Sequence, residues 1–284
     1  MIKLTKIEKS FGKQLVLDSL GLEIKPGDRI ALIGQNGAGK TTLIRTLLGQ
    51  YTHQGLLSVF GVNPRQQRVD VLQKIGFVPQ HSPPIQMSVK ELIAFSDSLS
   101  AQSIIDKVRD LAAKLEFDVQ QEGSKPFYKL SGGMKQKLLI SLAMSRRPDF
   151  LIMDEPAANL DPPGRKAFFG ELSCLPKQTA MLLSSHRVDE LLPLVNRIIE
   201  MDCGRIVQDE RTTDSVADGK LLNCQLQISN ENEAIRKTLS SWRFSNGTEP
   251  GHYSGEVAEA DRMRFFNDIS HFSNHIQELN LEAS

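Results

Sequence analysis

Residues 34–41, GQNGAGKT, carry the spacing Gly-x-x-x-x-Gly-Lys-[Ser/Thr]. Glycines so spaced let backbone N–H groups converge on a phosphate, Lys40 adds charge at its outer oxygens, and the Thr41 hydroxyl can ligate magnesium. The chemistry indicated is the binding of a nucleoside triphosphate; the bland alternative is a glycine-rich turn ahead of a helix. A second group, DFLIMDEP, ends an apolar run with two adjacent carboxylates. Asp154 is suited to holding magnesium through water, and Glu155 to polarising an attacking water as general base, unless one of the pair only caps a turn. In LSGGMKQK (130–137), Ser131 can cap the following helix and leave the Gly132 and Gly133 amides at its positive end. Because the chain has its own phosphate cradle, this second anion-facing surface is best explained as completing a site held on another molecule.

The elements that must position these groups are legible around them. RIALIG (29–34) is a short apolar strand entering the glycine loop, and TTLIRTLLG puts Leu43, Ile44, Leu47 and Leu48 on one helical face. Further strands are expected at KIGFVP (74–79), DFLIMDE (149–155), TAMLLSS (179–185) and the hairpin RIIEMDCGRIVQ, which turns at Asp202 to Gly204. Apolar strands alternating with helices imply a buried parallel sheet. Gln80 and His186 end two of these strands, where ligands of open α/β sheets bind. Each alone reads as a solvated polar residue; together with the other motifs they become candidate γ-phosphate sensors.

Between about 84 and 147 the pattern turns helical. Ser88 with Glu91 and Ser103 with Asp106 look like capping boxes, opening helices that carry Leu92, Phe95 and Leu99, then Ile104, Val108, Leu111 and Leu115. Residues 213–220 resemble a linker. The segment 221–284 then reads as strand LLNCQLQI, helix NEAIRKTLSSW, strands near WRFS and HYSGEVA, helix DRMRFFNDISHF and strand IQELNLE. That βαββαβ order suggests a ferredoxin-like module. The expected fold class is therefore α/β: a P-loop NTPase core with an antiparallel β subdomain and a helical insert over 1–212, plus a small C-terminal α+β module.

Composition excludes several classes. The 284 residues carry 34 Lys plus Arg against 34 Asp plus Glu, with a pI near 7.0, so no net field pulls the chain onto nucleic acid. Cys174, Cys203 and Cys224 are odd in number and far apart, which indicates neither a disulfide framework nor a zinc site. The N-terminal MIKLTKIEKSFGKQ alternates like a strand and lacks a signal peptide's apolar stretch, and no apolar run approaches a membrane span. A cytosolic setting is expected, with any membrane role supplied by another polypeptide. His271 and His275 stand four apart, the spacing that puts two imidazoles on one helical face as in a metal site, but without a third ligand nearby in sequence. His53, His81 and His252 have no neighbours suggesting chemistry.

The order GQNGAGKTT, FVPQ, LSGGMKQK, FLIMDEP, NLDP and SSH resembles the nucleotide-binding subunits of ATP-binding cassette (ABC) transporters over residues 1 to about 212. The resemblance implies Walker A, Q-loop, signature, Walker B, D-loop and H-switch roles for Lys40, Gln80, Ser131, Asp154, Asp161 and His186. Nucleotide contacts would come from Gly34, Asn36, Gly37, Ala38, Gly39, Lys40, Thr41 and Thr42, magnesium contacts from Thr41, Gln80 and Asp154, and catalytic help from Glu155, His186, Lys40 and Gln80. Phe11 matches the family's adenine-stacking aromatic, although a core phenylalanine fits the same position. Two copies would face each other head to tail, with Ser131, Gly132, Gly133 and Asp161 of one closing the ATP on the other; Asp161 before Pro162 and Pro163 is also a plain helix cap.

The same resemblance implies an ATPase that uses ATP and Mg2+, dimerises, and sits on the inner face of the cell membrane by docking integral membrane subunits through Gln80 and HSPPIQMSVKELIAF. In that segment Ile85, Met87 and Phe95 fit core packing equally well. The single cassette with a small C-terminal module looks most like the ABC-2 type, including exporters and subunits serving maturation of periplasmic copper enzymes. A soluble ABC-type ATPase or a regulatory ATP-binding module is the alternative. Met134 stands where the signature commonly has Gln, and Ala157 where Thr or Ser is common; the first puts one polar contact to the partner's nucleotide in doubt.

Overall fold

The computed structural model describes residues 1–185, 188–211, 221–229, 233–242, 244–247, 251–258, 265, 269, 272 and 275–283. The chain divides into two compact units, Met1–Asp209 and Glu210–Ser284.

In the first unit, strand β1 (Ile2–Phe11) lies between β2 (Gln14–Ile24) and β4 (Gln54–Val59) in an antiparallel sheet. β1 buries Ile2, Leu4 and Ile7 while Lys3, Thr5 and Lys6 face water, the alternation of a sheet covered on one side. A six-stranded sheet carries the rest of the core. Its order is β5 (Ile75–Val78), β6 (Phe150–Asp154), β7 (Ala180–Ser184), β3 (Arg29–Ile33), β8 (Arg197–Asp202) and β9 (Arg205–Arg211), and the first five strands run parallel.

Every residue of β6 and β7 is buried, because helices or the other sheet cover both faces. The period of two divides them. Phe150, Ile152, Ala180 and Leu182 join Leu43, Ile44 and Leu47 of α1 (Lys40–Leu47) and the antiparallel sheet. Leu151, Met153, Met181 and Leu183 pack on Ile140 and Met144 of α5 (Gly132–Ser145) and on Phe168 and Leu172 of α6 (Pro162–Ser173). Short helices α2 (Arg68–Gln73) and α7 (Val188–Leu191) complete connections.

The helical insert has its own core, with Val89, Leu92 and Ile93 of α3 (Val89–Ser98) and Val108 and Ala112 of α4 (Ile105–Lys114) packed on Leu138 and Leu142 of α5. Ser88 and Glu91 form the expected reciprocal capping box. The box expected at Ser103 and Asp106 is not made. Asp97, at the end of α3, accepts from both Ser103 Oγ (2.9 Å) and Ile104 N (2.7 Å), so the carboxylate of the preceding helix takes the donors that a local cap would have used. Asp106 instead faces Arg109 at 3.5 Å. Phe95 and Leu99 also depart from the expected core face: they are 49% and 57% exposed, because Ile93 rather than Phe95 turns inward beside Leu92.

In the second unit, β10 (Leu221–Ile228) is followed by α8 (Glu233–Ser241), β11 (Ser245–Asn246), β12 (His252–Ala258) and β13 (Ile276–Ala283). The sheet order is β11-β12-β10-β13, with antiparallel pairs throughout, an order that a split βαβ pair produces. Leu226 and Ile228 pack with Ile235 and Leu239 of α8 and with Phe265 and Ile269. Of the helix expected over 261–272 only Phe265, Ile269 and Phe272 are described, the first two helical, and the strand expected near WRFS is reduced to Ser245–Asn246. The linker 213–220 lies outside the described residues. Cys174, Cys203 and Cys224 are free thiols.

Candidate nucleotide site

The glycine loop leaves β3 at Gly34, whose φ of 142° lies outside the range of L side chains, and a Cβ there would meet the Met201 carbonyl oxygen at 2.2 Å. Only glycine lets the loop press so closely against β8. Gly37 and Gly39 also have positive φ, and Gly39 leads directly into α1. The β8–β9 turn braces the loop: Gly204 N donates to Ala38 O at 3.1 Å. Asn36 is exposed, Ala38 is buried, and Thr41 and Thr42 are half-buried on the first turn of α1. Lys40 is only 7% exposed, and its ammonium donates to Gly34 O (2.5 Å) and Gln35 O (3.1 Å). Burial pushes its pKa below the ordinary lysine value, against the opposing pull of Glu155 and Asp154.

Strand β7 lies between β6 and β3, so the carboxylates ending β6 and the loop leaving β3 flank its last residue, Ser184. The register pairs Ser184 with Asp154 on one side and with Leu32 on the other. Asp154, 2% exposed, accepts from Thr41 Oγ1 (2.8 Å) and from Ser184 Oγ (2.5 Å). Glu155 N in turn donates to Ser184 Oγ (2.9 Å). Glu155 has a φ of 51°, a left-handed conformation that costs a non-glycine residue roughly 1–2 kcal/mol. The Ser184 hydroxyl therefore fixes both the carboxylate of Asp154 and the strained backbone of Glu155.

These residues fit magnesium and a triphosphate. A hydroxyl and a carboxylate oxygen already converge at the first turn of α1, as hard oxygen donors must for that ion. Gln80 follows β5, the strand beside β6, and is exposed. His186 lies outside the described residues.

Phe11 ends β1 with 44% of its surface exposed, which removes the core reading. It stands edge to face with Tyr51 at 5.1 Å, and Lys9 Nζ lies 4.7 Å from its ring centre. Tyr51 is bonded to Arg45 of α1 through its hydroxyl (2.8 Å), so α1 and the end of β1 meet in this aromatic pair.

Ser131 occupies the N-cap of α5 and accepts from Met134 N at 3.2 Å; Gly132 is exposed beside it. Gly133 lies against the chain ahead of α6, where a Cβ would stand 2.9 Å from Asn159 O. Asp161 sits at the N-cap of α6, ahead of Pro162, and its carboxylate pairs with Lys137 Nζ at 2.8 Å. That partner holds the Asp161 carboxyl below its usual pKa. Met134 turns into the core of the insert. Among the described residues no hydrogen bond or ion pair joins Ser131, Gly132 or Gly133 to the glycine loop. The structure thus brings Lys40, Thr41, Asp154 and Glu155 together and leaves the Ser131 helix end apart from them.

Three contributing residues escaped the sequence reading: Ser184, Gln136 and Lys137. Ser184 carried one usable signal, a polar residue ending an otherwise apolar buried strand. Among the described residues no group of His, Cys, Asp and Glu is arranged to hold a metal, and no helix is long and apolar enough to cross a membrane. His271 lies outside the described residues, and His275 Nδ1 stands 3.3 Å from Ser229 O.

The sequence pattern of the family described as ABC transporter matches residues 17–158. The Nod factor export ATP-binding protein I of Cupriavidus metallidurans is 32% identical over 249 residues, covering 84% of this chain and 80% of that protein. The bacitracin transport ATP-binding protein BcrA of Bacillus licheniformis is 32% identical over 248 residues, covering 83% and 77%. A solved dimeric ATP-binding cassette in a post-hydrolysis state, bound to ADP and Pi, superposes with a TM-score of 0.65 at 19% identity, covering 74% of this chain and 98% of that one.

Proposed function

Since the chain belongs to the ABC transporter family, as an ATP-binding subunit, we propose that it is an ATP-hydrolysing motor that dimerises on ATP and drives separate membrane subunits. The observation that carries the reading is the Thr41–Asp154–Ser184–Glu155 chain set against the glycine loop. Backbone amides of 34–41 and the Lys40 ammonium bind and orient the triphosphate, and Thr42, Asn36 and Ala38 line the same loop. Thr41 and Asp154, with Gln80, would hold magnesium, which neutralises charge on the β and γ oxygens when bound. Glu155 takes a proton from the attacking water as that water's oxygen bonds to the γ-phosphorus and the β–γ bridge oxygen leaves with ADP. His186, outside the described residues, is assigned the role of γ-phosphate sensor by its place in the SSH motif, and Phe11 would stack on the base.

The Ser131 helix end, held apart from the glycine loop of its own chain, is the surface that closes the ATP of a second copy, with Asp161 beside it. Support for this reading comes from the dimeric cassette that the fold matches. Met87 and Phe95, 40% and 49% exposed on the insert, suit docking of a membrane subunit, which would place the protein on the inner face of the cell membrane. The relatives named for Nod factor export and bacitracin transport favour an exporter.

Glu155→Gln tests the reading. Turnover should fall about 10²-fold or more while ATP-dependent dimerisation, followed by size exclusion, persists. Full turnover by a strictly monomeric preparation would overturn it.

A further inference from the structure

Gln136, Lys137 and Gly133 share one face of α5, at helical spacings of three and four residues. All three engage the stretch from Pro156 to Asp161, which immediately follows Glu155. Gly133 abuts Asn159 O, Lys137 pairs with Asp161, and Gln136 Nε2 donates to Pro156 O at 3.0 Å. Gln136 is fully buried, and its Oε1 has no hydrogen-bond partner among the described residues. A buried glutamine with half its carboxamide unpaired among the described residues is poorly explained by packing or stability, because an unpaired buried carbonyl is costly and a methionine would fill the same volume. Its amide is what the site uses.

The target of that amide explains why. Glu155 is held in a left-handed conformation, with its N–H fixed by Ser184 on β7. On the other side, the proline ring fixes φ at residue 156, so anchoring the Pro156 carbonyl orients the whole 155–156 turn. The two anchors belong to different elements. Ser184 is part of the parallel sheet that carries the glycine loop; Gln136 is on the helix whose first turn presents Ser131 and Gly132. Any shift of α5 relative to the sheet must therefore act on the backbone of Glu155.

We propose that Gln136 is a positioning residue that transmits engagement of the Ser131 helix end, made on a partner's nucleotide, to Glu155 of the same chain. The inference rests on the dimeric ATPase reading above. Each subunit's grip on its partner's ATP then sets the placement of its own general base, so the two composite sites fire together. Lys137 and Gly133 keep the helix and the 156–161 stretch aligned while this happens.

The test is Gln136→Met in the full chain, with ATPase rate measured against ATP concentration and thermal unfolding recorded in parallel. The change deletes the donor to Pro156 O and also removes the unpaired Oε1, so the two effects on stability offset one another and the unfolding temperature should move by no more than about 2 °C. Turnover should fall about tenfold, as expected for loss of one positioning hydrogen bond, with KM changed less than about twofold. The Hill coefficient for ATP should drop toward one, a readout that a merely structural role would not move. Gln136→Glu, which places an acceptor against the Pro156 carbonyl, should lose more activity than Gln136→Met.

Wild-type turnover and Hill coefficient with no change in Gln136→Met would overturn the proposal, as would a large drop in unfolding temperature that accounts for the lost activity. Glu155→Gln is run alongside. If that variant keeps full turnover, the motor reading itself has failed; if it loses turnover while Gln136→Met does not, only the positioning role is lost.

Discussion

Ser184→Ala removes a single oxygen from the bottom of the site, and the structure allows its cost to be worked through. Ser184 is fully buried, so water cannot replace the lost hydroxyl. Two hydrogen bonds go with it: the donation to the Asp154 carboxylate and the acceptance from Glu155 N. The first, to a charged group, is worth about 2 kcal/mol, and leaving the Glu155 N–H unpaired costs about 1–2 kcal/mol more. Against this, Glu155 is released from its left-handed conformation and recovers up to about 1–2 kcal/mol. The net loss is therefore about 1–3 kcal/mol, which for a cooperative unit of this size lowers the melting temperature by roughly 2–12 °C. Circular dichroism melts of the two proteins measure that shift, and ATPase assays well below the melt isolate the functional part. Because Glu155 loses its anchor, turnover should fall further than the folded fraction does. A melting temperature within about 2 °C of wild type, together with unchanged turnover, would refute the argument that this hydroxyl holds the two carboxylate residues.

Other perturbations test separate links. Phe11→Ala should weaken ATP binding about 3- to 10-fold in a fluorescence titration, whereas Phe11→Tyr should preserve it, since the ring face is what the base would use. Burial lowers the Lys40 pKa, so its charge is complete below that lowered value and is lost as pH rises through it; ATP affinity, titrated from neutral to alkaline pH, should decline before an ordinary lysine would deprotonate. Arg197 is bonded to Asp209 at 2.6 Å and to Asp28 at 3.0 Å with little exposure, so Arg197→Ala should cost about 3–5 kcal/mol in urea unfolding by removing the cation from a buried ion pair, a charge that the hydrogen bond from Lys25 N to Asp28 does not replace.

The elements of the first unit were legible because their signals are local. Short apolar runs such as FLIM, placed between helical patterns, have few uses other than strands of a covered parallel sheet, and β6 and β7 are buried throughout. The Ser103 box failed for the opposite reason. Its fate was decided by Asp97, a residue six positions earlier that the fold brings back onto Ser103 Oγ and Ile104 N, and no pattern confined to 103–106 contains that competitor. Phe95 shows the same limit: its spacing from Leu92 fits a buried face, yet the core of the insert selects Ile93 instead.

The site divides along the same line. Lys40, Thr41, Asp154 and Glu155 could be found from sequence because the chemistry fixes their residue types and their place after apolar strands. Ser184 and Gln136 act on backbone atoms, one on Glu155 N and the other on Pro156 O, and the need for them arises only from the left-handed turn at Glu155. A strained conformation persists when its surroundings over-determine it, and here two distant elements do so from opposite sides. That placement gives the strain a direction. With one anchor on the sheet and the other on α5, the conformation of Glu155 depends on how those two elements pack, so the residue best suited to activating water is also the one most exposed to a movement of the Ser131 helix.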